Sequence, residues 1–319
     1  MTERGGGAGG GGAAAPMASP MPAASLRLLL RGVVDYAGLF PPASLDMAAA
    51  VAEYAAHRDG AEAWALGRFV LPAARLEELN SVAAAVLPRQ GARSWALSAL
   101  LGTDIEEDVG RIEHFNDSHR DARAGAVLVD TVELKTHSAR DVARANELLD
   151  RRFDTYMEIP VAEDPIELVT AISETLAKAK IRTGGVTPDA FPSSAHVVRF
   201  IRRCIEAGVA FKATAGLHHP LGGDYRLTYA PDAPVGTMFG FLNVLLATAT
   251  IHADLGDQEA LAVLEERHPS AVTFDSQGAH WCGRSLPIEA LERARDSMTS
   301  FGSCSFKEPL HDLRALSLL

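Results

Sequence analysis

Gly125-Ala-Val-Leu-Val-Asp-Thr-Val-Glu-Leu-Lys135, followed closely by Ser138-Ala-Arg-Asp141, is the stretch of the 319-residue chain that decides its fold. The first run is mostly apolar and β-branched, as in a strand of a parallel sheet that is covered on both faces. The second is a capping-box pattern, in which a serine and the acid three residues later satisfy free backbone N–H groups at a helix start. The two together predict a strand that leads into a helix, the first half of a βαβ unit.

The same order of strand and helix repeats along the chain, roughly once per 30 residues, which is the size of a βαβ unit. Each β-rich run is followed by a longer segment with helical spacing of its apolar residues. The first run lacks the G-x-G-x-x-G fingerprint that an open doubly wound sheet often carries. We therefore predict an α/β protein, a single (β/α)8 TIM barrel. The eight predicted strands are Gly32–Phe40, Trp64–Leu71, Ser94–Leu101, Gly125–Lys135, Phe153–Pro160, Lys180–Gly185, Val209–Gly216 and Ala271–Asp275.

The N-terminal 25 residues differ from the rest of the chain because Gly and Ala dominate them. A segment of this composition cannot bury enough apolar surface to offset the entropy that ordering would cost. It also lacks the basic start and compact apolar centre of a secretory signal. We predict a disordered Gly/Ala-rich tail over residues 1–25 and one barrel domain over residues 26–319.

Charge and cysteine content exclude several functional classes. The net charge of −11, from 30 basic and 41 acidic residues, argues against a nucleic-acid partner, which requires a basic face. The most apolar stretch, Phe239 to Ile251, is too short to span a bilayer, so we expect no membrane association. The three cysteines, an odd number without metal-ligand spacing, favour a reducing compartment, and we expect a cytoplasmic protein. A homo-oligomer is left open.

The candidate catalytic residues are those near the C-terminal ends of the strands, where TIM barrels carry their active sites. Because side chains alternate between the faces of a strand, Lys180 and Arg182 share one face of strand six, and Lys212 and Thr214 share one face of strand seven. A nearby cation lowers the pKa of an amine and makes it a usable nucleophile near neutral pH. Lys212 and Arg182 are the cations predicted to act in this way on Lys180.

Two buried ammonium groups require partners, because desolvating an unpaired charge costs several kcal/mol. Asp130 on strand four and Glu158 on strand five are the expected carboxylates, and we predict that they also carry protons during catalysis. A purely structural network of buried ion pairs explains the same residues equally well. The end of strand one, Asp35 to Pro42, is interpreted as a rigid turn more readily than as a substrate contact.

His218 and His219 in the loop after strand seven are the second candidate pair. Adjacent residues point apart, so the two histidines cannot chelate one metal as an H-x-x-x-H pair on a helix does. Either can carry a proton or donate to a substrate, and either can equally cap local backbone. A metal site from Glu158, Asp130 and His218 has no supporting spacing. We expect neither a metal nor a cofactor.

Three short motifs resemble those of the deoxyribose-phosphate aldolase family of class I aldolases. Lys180-Ile-Arg-Thr183-Gly184 matches the family's Lys-x-x-Thr-Gly motif on strand six, and Phe211-Lys212-Ala-Thr-Ala-Gly216 is similar to its lysine segment on strand seven. Val129-Asp130-Thr-Val132 looks like the segment that carries its strand-four aspartate. The resemblance implies a (β/α)8 barrel, a Schiff base on Lys180, a second lysine at Lys212 and a catalytic aspartate at Asp130.

The chain also departs from that family's pattern. Arg182 replaces a small residue inside the strand-six motif, and the segment Thr273 to Gly278 does not carry the family's phosphate-binding glycines and serine. The loop with the two histidines is foreign to the family. The resemblance therefore does not extend to deoxyribose phosphate as the substrate.

These observations lead to one leading hypothesis and two alternatives. The leading one is an aldolase-superfamily lyase that acts on a small anionic carbonyl compound through a lysine Schiff base. The first alternative is a metal-assisted or acid–base isomerase or lyase that uses the lysines for anion binding. The second is a non-catalytic metabolite-binding barrel. The catalytic set is Lys180, Lys212, Asp130 and Glu158, and the substrate-binding set is Arg182, Thr183, Thr214, His218 and His219.

Overall fold

A computed structural model of the chain describes residues 22–89, 92–120, 125–149 and 151–319. Its centre is a closed barrel of eight parallel strands, which confirms the predicted TIM barrel. The barrel strands are β1 (Val34–Tyr36), β2 (Leu66–Pro72), β3 (Trp95–Leu100), β4 (Val127–Lys135), β5 (Asp154–Glu158), β6 (Lys178–Arg182), β7 (Phe211–Thr214) and β13 (Met298–Ser303). Around the barrel, the order of neighbours is β1, β13, β7, β6, β5, β4, β3 and β2.

Helices follow the barrel strands along the chain and cover the outside of the barrel. One buried apolar core contains both the outward-facing strand residues, such as Ala179 and Ile181, and the inner faces of the helices. The helices are α1 (Ala24–Leu30), α2 (Met47–Asp59), α3 (Leu76–Ala83), α4 (Ile105–Ser118), α5 (Ala139–Leu149), α6 (Ile166–Ser173), α7 (Ser194–Glu206), α8 (Phe241–His252), α9 (Asp257–Leu264), α10 (Ile288–Ser297) and α11 (Lys307–Ala315).

The register of β5, β6 and β7 sets the position of the charged interior residues. Glu158 pairs with Lys180 across β5 and β6, and Lys180 pairs with Lys212 across β6 and β7. Residues that pair in a parallel sheet point to the same face. The register therefore brings one carboxylate and two amines to the same level of the barrel interior.

The predicted eighth strand is wrong. Val272–Phe274 is not in the barrel but is strand β10 of a small antiparallel sheet with β11 (Gly278–Trp281) and β12 (Arg284–Pro287). The barrel is instead closed by β13, Met298–Ser303, between β1 and β7. Strand β13 contains several small and polar residues, and its Ser300 points into the polar interior of the barrel. The strand therefore lacks the apolar run by which strands are recognised in a sequence.

The boundary of the predicted tail also changes. Helix α1 begins at Ala24, and Ser25 is fully buried, so the ordered domain begins before residue 26. Leu26, Leu29 and Leu30 bury their side chains in the core and account for this helix. Residues 1–21 of the predicted tail lie outside the described residues.

A long insertion separates β7 from β13 and contains the loop with the two histidines. It includes a β-hairpin of β8 (Gly223–Arg226) and β9 (Val235–Met238), followed by α8 and α9. Helix α8 is buried along nearly its whole length. No helix in the described part of the chain is both long enough and apolar enough to cross a membrane.

Asn243, in the first turn of α8, connects three segments of this insertion by hydrogen bonds. Its Oδ1 accepts a hydrogen bond from the backbone N–H of Gly222 at 2.8 Å. Its Nδ2 donates to the carbonyls of Val263 at 2.7 Å and Glu266 at 2.9 Å. The side chain is fully buried, so it shields these three backbone groups from bulk water.

We expect Asn243→Ala to lower the free energy of unfolding by about 3 kcal/mol, because it leaves buried backbone groups without partners. Urea unfolding measures the change. Asn146→Ala on α5 is the control, since no hydrogen bond of the Asn146 side chain is present among the described residues. Equal stability of the two variants would contradict the anchoring role of Asn243.

Candidate functional site

A cavity of about 290 Å³ opens at the C-terminal end of the barrel. Its walls come from the ends of β1, β2, β3, β4, β6, β7 and β13 and the loops after them, as in other sites of this barrel type. Phe40, Pro41 and Pro42 after β1 form part of the apolar wall, so this segment lines the cavity as well as forming a turn. The polar lining consists of Glu133, Lys180, Arg182, Lys212, Thr214, His218 and Cys304.

A buried ion network forms the floor of this cavity. The Lys180 Nζ lies 2.7 Å from Glu133 Oε2 and 2.9 Å from Glu158 Oε2. The Lys212 Nζ lies 2.6 Å from Asp35 Oδ2 and 2.7 Å from Glu133 Oε1. Glu133 therefore holds one lysine with each of its oxygens, and the two amines lie on either side of one carboxylate.

Hydroxyl and backbone donors complete the network. The hydroxyl of Ser98 donates to Glu133 Oε1 at 2.7 Å, and that of Ser300 donates to Asp35 Oδ2 at 2.8 Å. The backbone N–H of Arg68 donates to Asp35 Oδ1 at 2.8 Å. Buried ion pairs offset their desolvation cost only when such additional hydrogen bonds are made. The interior is thus built to keep these groups charged.

The charges of this network displace the pKa values of its members. Burial opposes ionisation of Glu133, but the charges of Lys180 and Lys212 outweigh it and hold the pKa of Glu133 well below its usual range. Burial likewise favours neutral Lys212, but the carboxylates of Asp35 and Glu133 raise the pKa of Lys212 above its ordinary value. For Glu158, burial is outweighed by Lys180 and Arg182, and its pKa is lowered.

The two lysines differ in what surrounds them. Lys212 is 1% exposed, is held by two carboxylates, and lies 5.2 Å from the ring centroid of Tyr156. Lys180 is 4% exposed and contacts Glu158, which also binds the Nε of Arg182 at 3.1 Å. Lys212 is therefore fixed as an ammonium ion, whereas Lys180 lies beside a carboxylate that also faces an exposed cation.

Arg182 projects from β6 toward solvent and is about half exposed. Its Nε is engaged by Glu158, while its terminal nitrogens have no hydrogen-bond partner among the described residues. Arg182 and Thr214 line the same cavity. A guanidinium with free donors is suited to a carboxylate or a phosphate.

Thr183 holds the loops after β6 and β7 and does not line the cavity, and Gly184 and Gly216 of the two lysine motifs let these loops pack closely. The hydroxyl of Thr183 is buried and donates to the carbonyl of Ala215 at 2.7 Å. A Cβ on Gly184 would lie 2.9 Å from the Cα of Gly216 and 2.5 Å from the Phe191 ring. The loops after β6 and β7 thus pack backbone against backbone, and Thr183, which was predicted to bind substrate, does not line the cavity.

Asp130, predicted as a partner of the lysines, does not contact them. It forms an ion pair with Arg68 on β2, at 2.7 Å, and does not line the cavity. The β3–β4 register passes from Leu97 opposite Val129 to Ser98 opposite Thr131, so Asp130 lies at a β-bulge with no residue opposite. Glu133, three residues later, occupies the position expected for Asp130.

The two histidines separate as expected for adjacent residues. His218 lines the cavity, and its Nδ1 lies 3.2 Å from Glu308 Oε2. His219 does not line the cavity; its ring stacks on Tyr225 and its Nδ1 lies 2.6 Å from Asp312 Oδ2. The structure thus keeps His218 in the candidate site and places His219 outside it.

Sequence reasoning missed the residues on which the site depends most. Glu133 lies in the predicted fourth strand, two residues before its end and on the same face as Thr131. This position in the strand was a signal by which Glu133 could have been identified from the sequence. Asp35 was assigned to a turn, although an acid within the first strand of a barrel also requires a partner. Ser300 and Cys304 belong to β13 and the residue after it, and were missed because that strand was not predicted.

No protein-family model matches the chain, and no curated protein matches its sequence. Within residues 22–89, 92–120, 125–149 and 151–319, no group of three or more His, Cys, Asp or Glu side chains is arranged to hold a metal ion. The proposed function therefore rests on the geometry and electrostatics of the cavity.

The pH dependence of stability should report this network. Glu133 and Glu158 have pKa values below the ordinary 4.5, so their contribution is present above pH 4.5 and is lost on acidification through their lowered values. Lys212 has a pKa above the ordinary 10.5, so its contribution is fully present below pH 10.5 and is lost as the pH rises through its raised value. We expect a stability plateau between these limits, measured by urea unfolding across pH.

Glu133→Gln should lower the free energy of unfolding by about 3–5 kcal/mol at pH 7, because it removes the carboxylate shared by two buried ammonium ions. It should also flatten the acid limb of the wild-type profile. Glu113→Gln, at an exposed pair with Arg152, is the control and should change little. An acid limb of unchanged steepness in Glu133→Gln would contradict the assigned role of Glu133.

Proposed function

We propose that this protein is a carbon–carbon lyase of the aldolase type, in which Lys180 forms a Schiff base with a small anionic carbonyl compound. The observation that carries the proposal is the position of the Lys180 amine, which lines the cavity and lies within 2.9 Å of two carboxylates. A nucleophilic amine needs such bases, because it attacks only after losing a proton.

We assign the relay of that proton to Glu158. It is the less buried of the two partners of Lys180 and also contacts the half-exposed Arg182, although it does not itself line the cavity. The neutral amine then adds to the carbonyl carbon, the carbonyl oxygen takes up two protons and leaves as water, and an iminium ion remains. The iminium accepts the electron pair of the C–C bond that breaks, which yields an enamine.

Glu133 stabilises the charge that this chemistry requires. The iminium carries the same positive charge, at the same place, as the ammonium group of Lys180 before reaction. Lys212 keeps Glu133 ionised throughout, since its own charge lowers the pKa of Glu133. Preorganised charges of this kind contribute to catalysis because they need no rearrangement during the reaction.

The cavity favours a small anionic substrate. A volume of about 290 Å³ is at the lower end of the range for ligand sites. Arg182 supplies free guanidinium donors, and Thr214 adds a hydroxyl at the same wall. The proposal keeps the sequence resemblance to the deoxyribose-phosphate aldolase family for the two lysines, and assigns to Glu133 the acidic position that the resemblance had given to Asp130.

We place the protein in the cytoplasm as part of this proposal. Cys204, Cys282 and Cys304 are all free thiols, and a reducing compartment preserves thiols in this state.

Borohydride reduction in the presence of short aldehydes or 2-oxo acids should trap an adduct on Lys180, because hydride reduces an iminium to a stable amine. Peptide mass mapping locates the adduct. Lys180→Met should abolish trapping. Lys178→Met is the matched control, since Lys178 lies on the same strand but pairs with Asp154 outside the cavity, and it should retain trapping.

Two results would overturn the proposal. Turnover of a carbonyl compound by the wild type without any adduct would favour acid–base chemistry that uses the lysines for anion binding. Tight binding of an anionic metabolite with neither adduct nor turnover would favour a binding barrel. In that case Lys180→Met would weaken affinity and change nothing else.

A further inference from the structure

Four side chains form a second cluster of titratable groups at the rim of the cavity, separate from the lysine network. They come from three parts of the chain: the loop after β7, the hairpin of β8 and β9, and the segment from the end of β13 into α11. His218 Nδ1 lies 3.2 Å from Glu308 Oε2 and 3.8 Å from Cys304 Sγ. The Tyr229 hydroxyl donates to Glu308 Oε2 at 3.2 Å and lies 3.6 Å from Cys304 Sγ.

This cluster leaves one nitrogen of His218 available. The Nδ1 is taken by Glu308, whereas the Nε2 has no hydrogen-bond partner among the described residues. The Nε2 is also not among the fully buried polar atoms without a partner, so solvent reaches it. Because His218 lines the same cavity as Lys180 and is otherwise buried, that solvent lies in the cavity mouth.

We propose that His218 is the general acid–base residue that exchanges a proton with the oxygen of the second carbonyl reactant, an aldehyde, in the C–C bond step. This inference rests on the proposed Schiff base at Lys180 and adds to it a second residue and a second substrate class. Glu308 and Tyr229 are positioning residues, since they hold the imidazole through its Nδ1 and do not line the cavity.

The proton and electron balance of the step is complete within these groups. In bond formation, the enamine carbon on Lys180 attacks the aldehyde carbon, and the π pair of the C=O bond moves to oxygen. The Nε2–H of His218 gives its proton to that oxygen, and a hydroxyl results. In cleavage, neutral His218 takes the hydroxyl proton, the aldehyde C=O forms again, and the bonding pair returns to the iminium.

The surroundings of His218 keep it protonated near neutral pH. Burial favours the neutral imidazole, but Cys304 and Glu308 outweigh burial and raise the pKa of His218 to about 9. The pKa of Glu308 is correspondingly lowered, because His218 outweighs the effect of burial on it. On the cavity side, the charged lining groups are Arg182, Lys180, Lys212 and Glu133.

His218→Gln tests this role, with His219→Gln as the matched control from the adjacent position outside the cavity. Borohydride trapping on Lys180 with a panel of short aldehydes and 2-oxo acids reports the Schiff base. Formation of a hydroxy carbonyl product from that carbonyl compound and a second aldehyde reports the C–C step. We expect His218→Gln to trap as the wild type does and to slow product formation by about 10²–10⁴-fold, the usual contribution of a general acid. His219→Gln should retain both.

The pH profile supplies a readout that a structural histidine would not change. Product formation by the wild type should fall above a pH of about 9, as His218 loses its proton. Glu308→Gln should move that fall to lower pH, because it removes the carboxylate that favours the imidazolium ion.

The outcomes separate the two proposals. Undiminished product formation in His218→Gln, with trapping intact, overturns the role of His218 and leaves the Schiff base standing. Equal losses in His218→Gln and His219→Gln also overturn it, since they indicate a disturbed loop. Absence of trapping in the wild type overturns the Schiff base and this inference with it.

Discussion

The carboxylate of Glu133, shared between Lys180 and Lys212, is the interaction on which the rest of the site depends. TIM barrels commonly fill their interior with branched apolar side chains, whereas this barrel places carboxylates, amines and serine hydroxyls there. Such an interior is stable only when each charge is paired and each remaining oxygen has a donor. The strands that supply these groups are therefore fixed in register by electrostatics as well as by backbone hydrogen bonds.

The shared carboxylate of Glu133 also explains why the two lysines are proposed to have different roles. Lys212, enclosed by Asp35 and Glu133, serves as a permanent positive charge. Lys180, one strand away, shares Glu133 with it but also contacts Glu158, which in turn contacts the half-exposed Arg182. A single shared carboxylate thus lets two similar residues in neighbouring strands differ in their accessibility and in their proposed roles.

The sequence predicted the barrel and the inward lysines because both follow from local periodicity. Strand and helix repeat in order, and the alternation of side chains places Lys180 and Lys212 on the inner face once the strands are located. The prediction failed at Asp130 because a β-bulge there interrupts the alternation of side chains between the two faces of the strand. No pattern of residue types reveals such a bulge. The prediction failed at the eighth strand because Met298–Ser303 faces polar groups and lacks an apolar run.

The amino-acid sequence alone determined the α/β repeat, the closed parallel barrel and two of the residues on the cavity floor, since these depend on short-range pattern. Only the tertiary structure decided which acids meet the lysines and which histidine faces the cavity. Asp35 meets Lys212 because β1 closes against β13, and Glu308 meets His218 because α11 returns to the loop after β7. Contacts between residues so far apart in the chain are set by barrel closure, which local propensities do not encode.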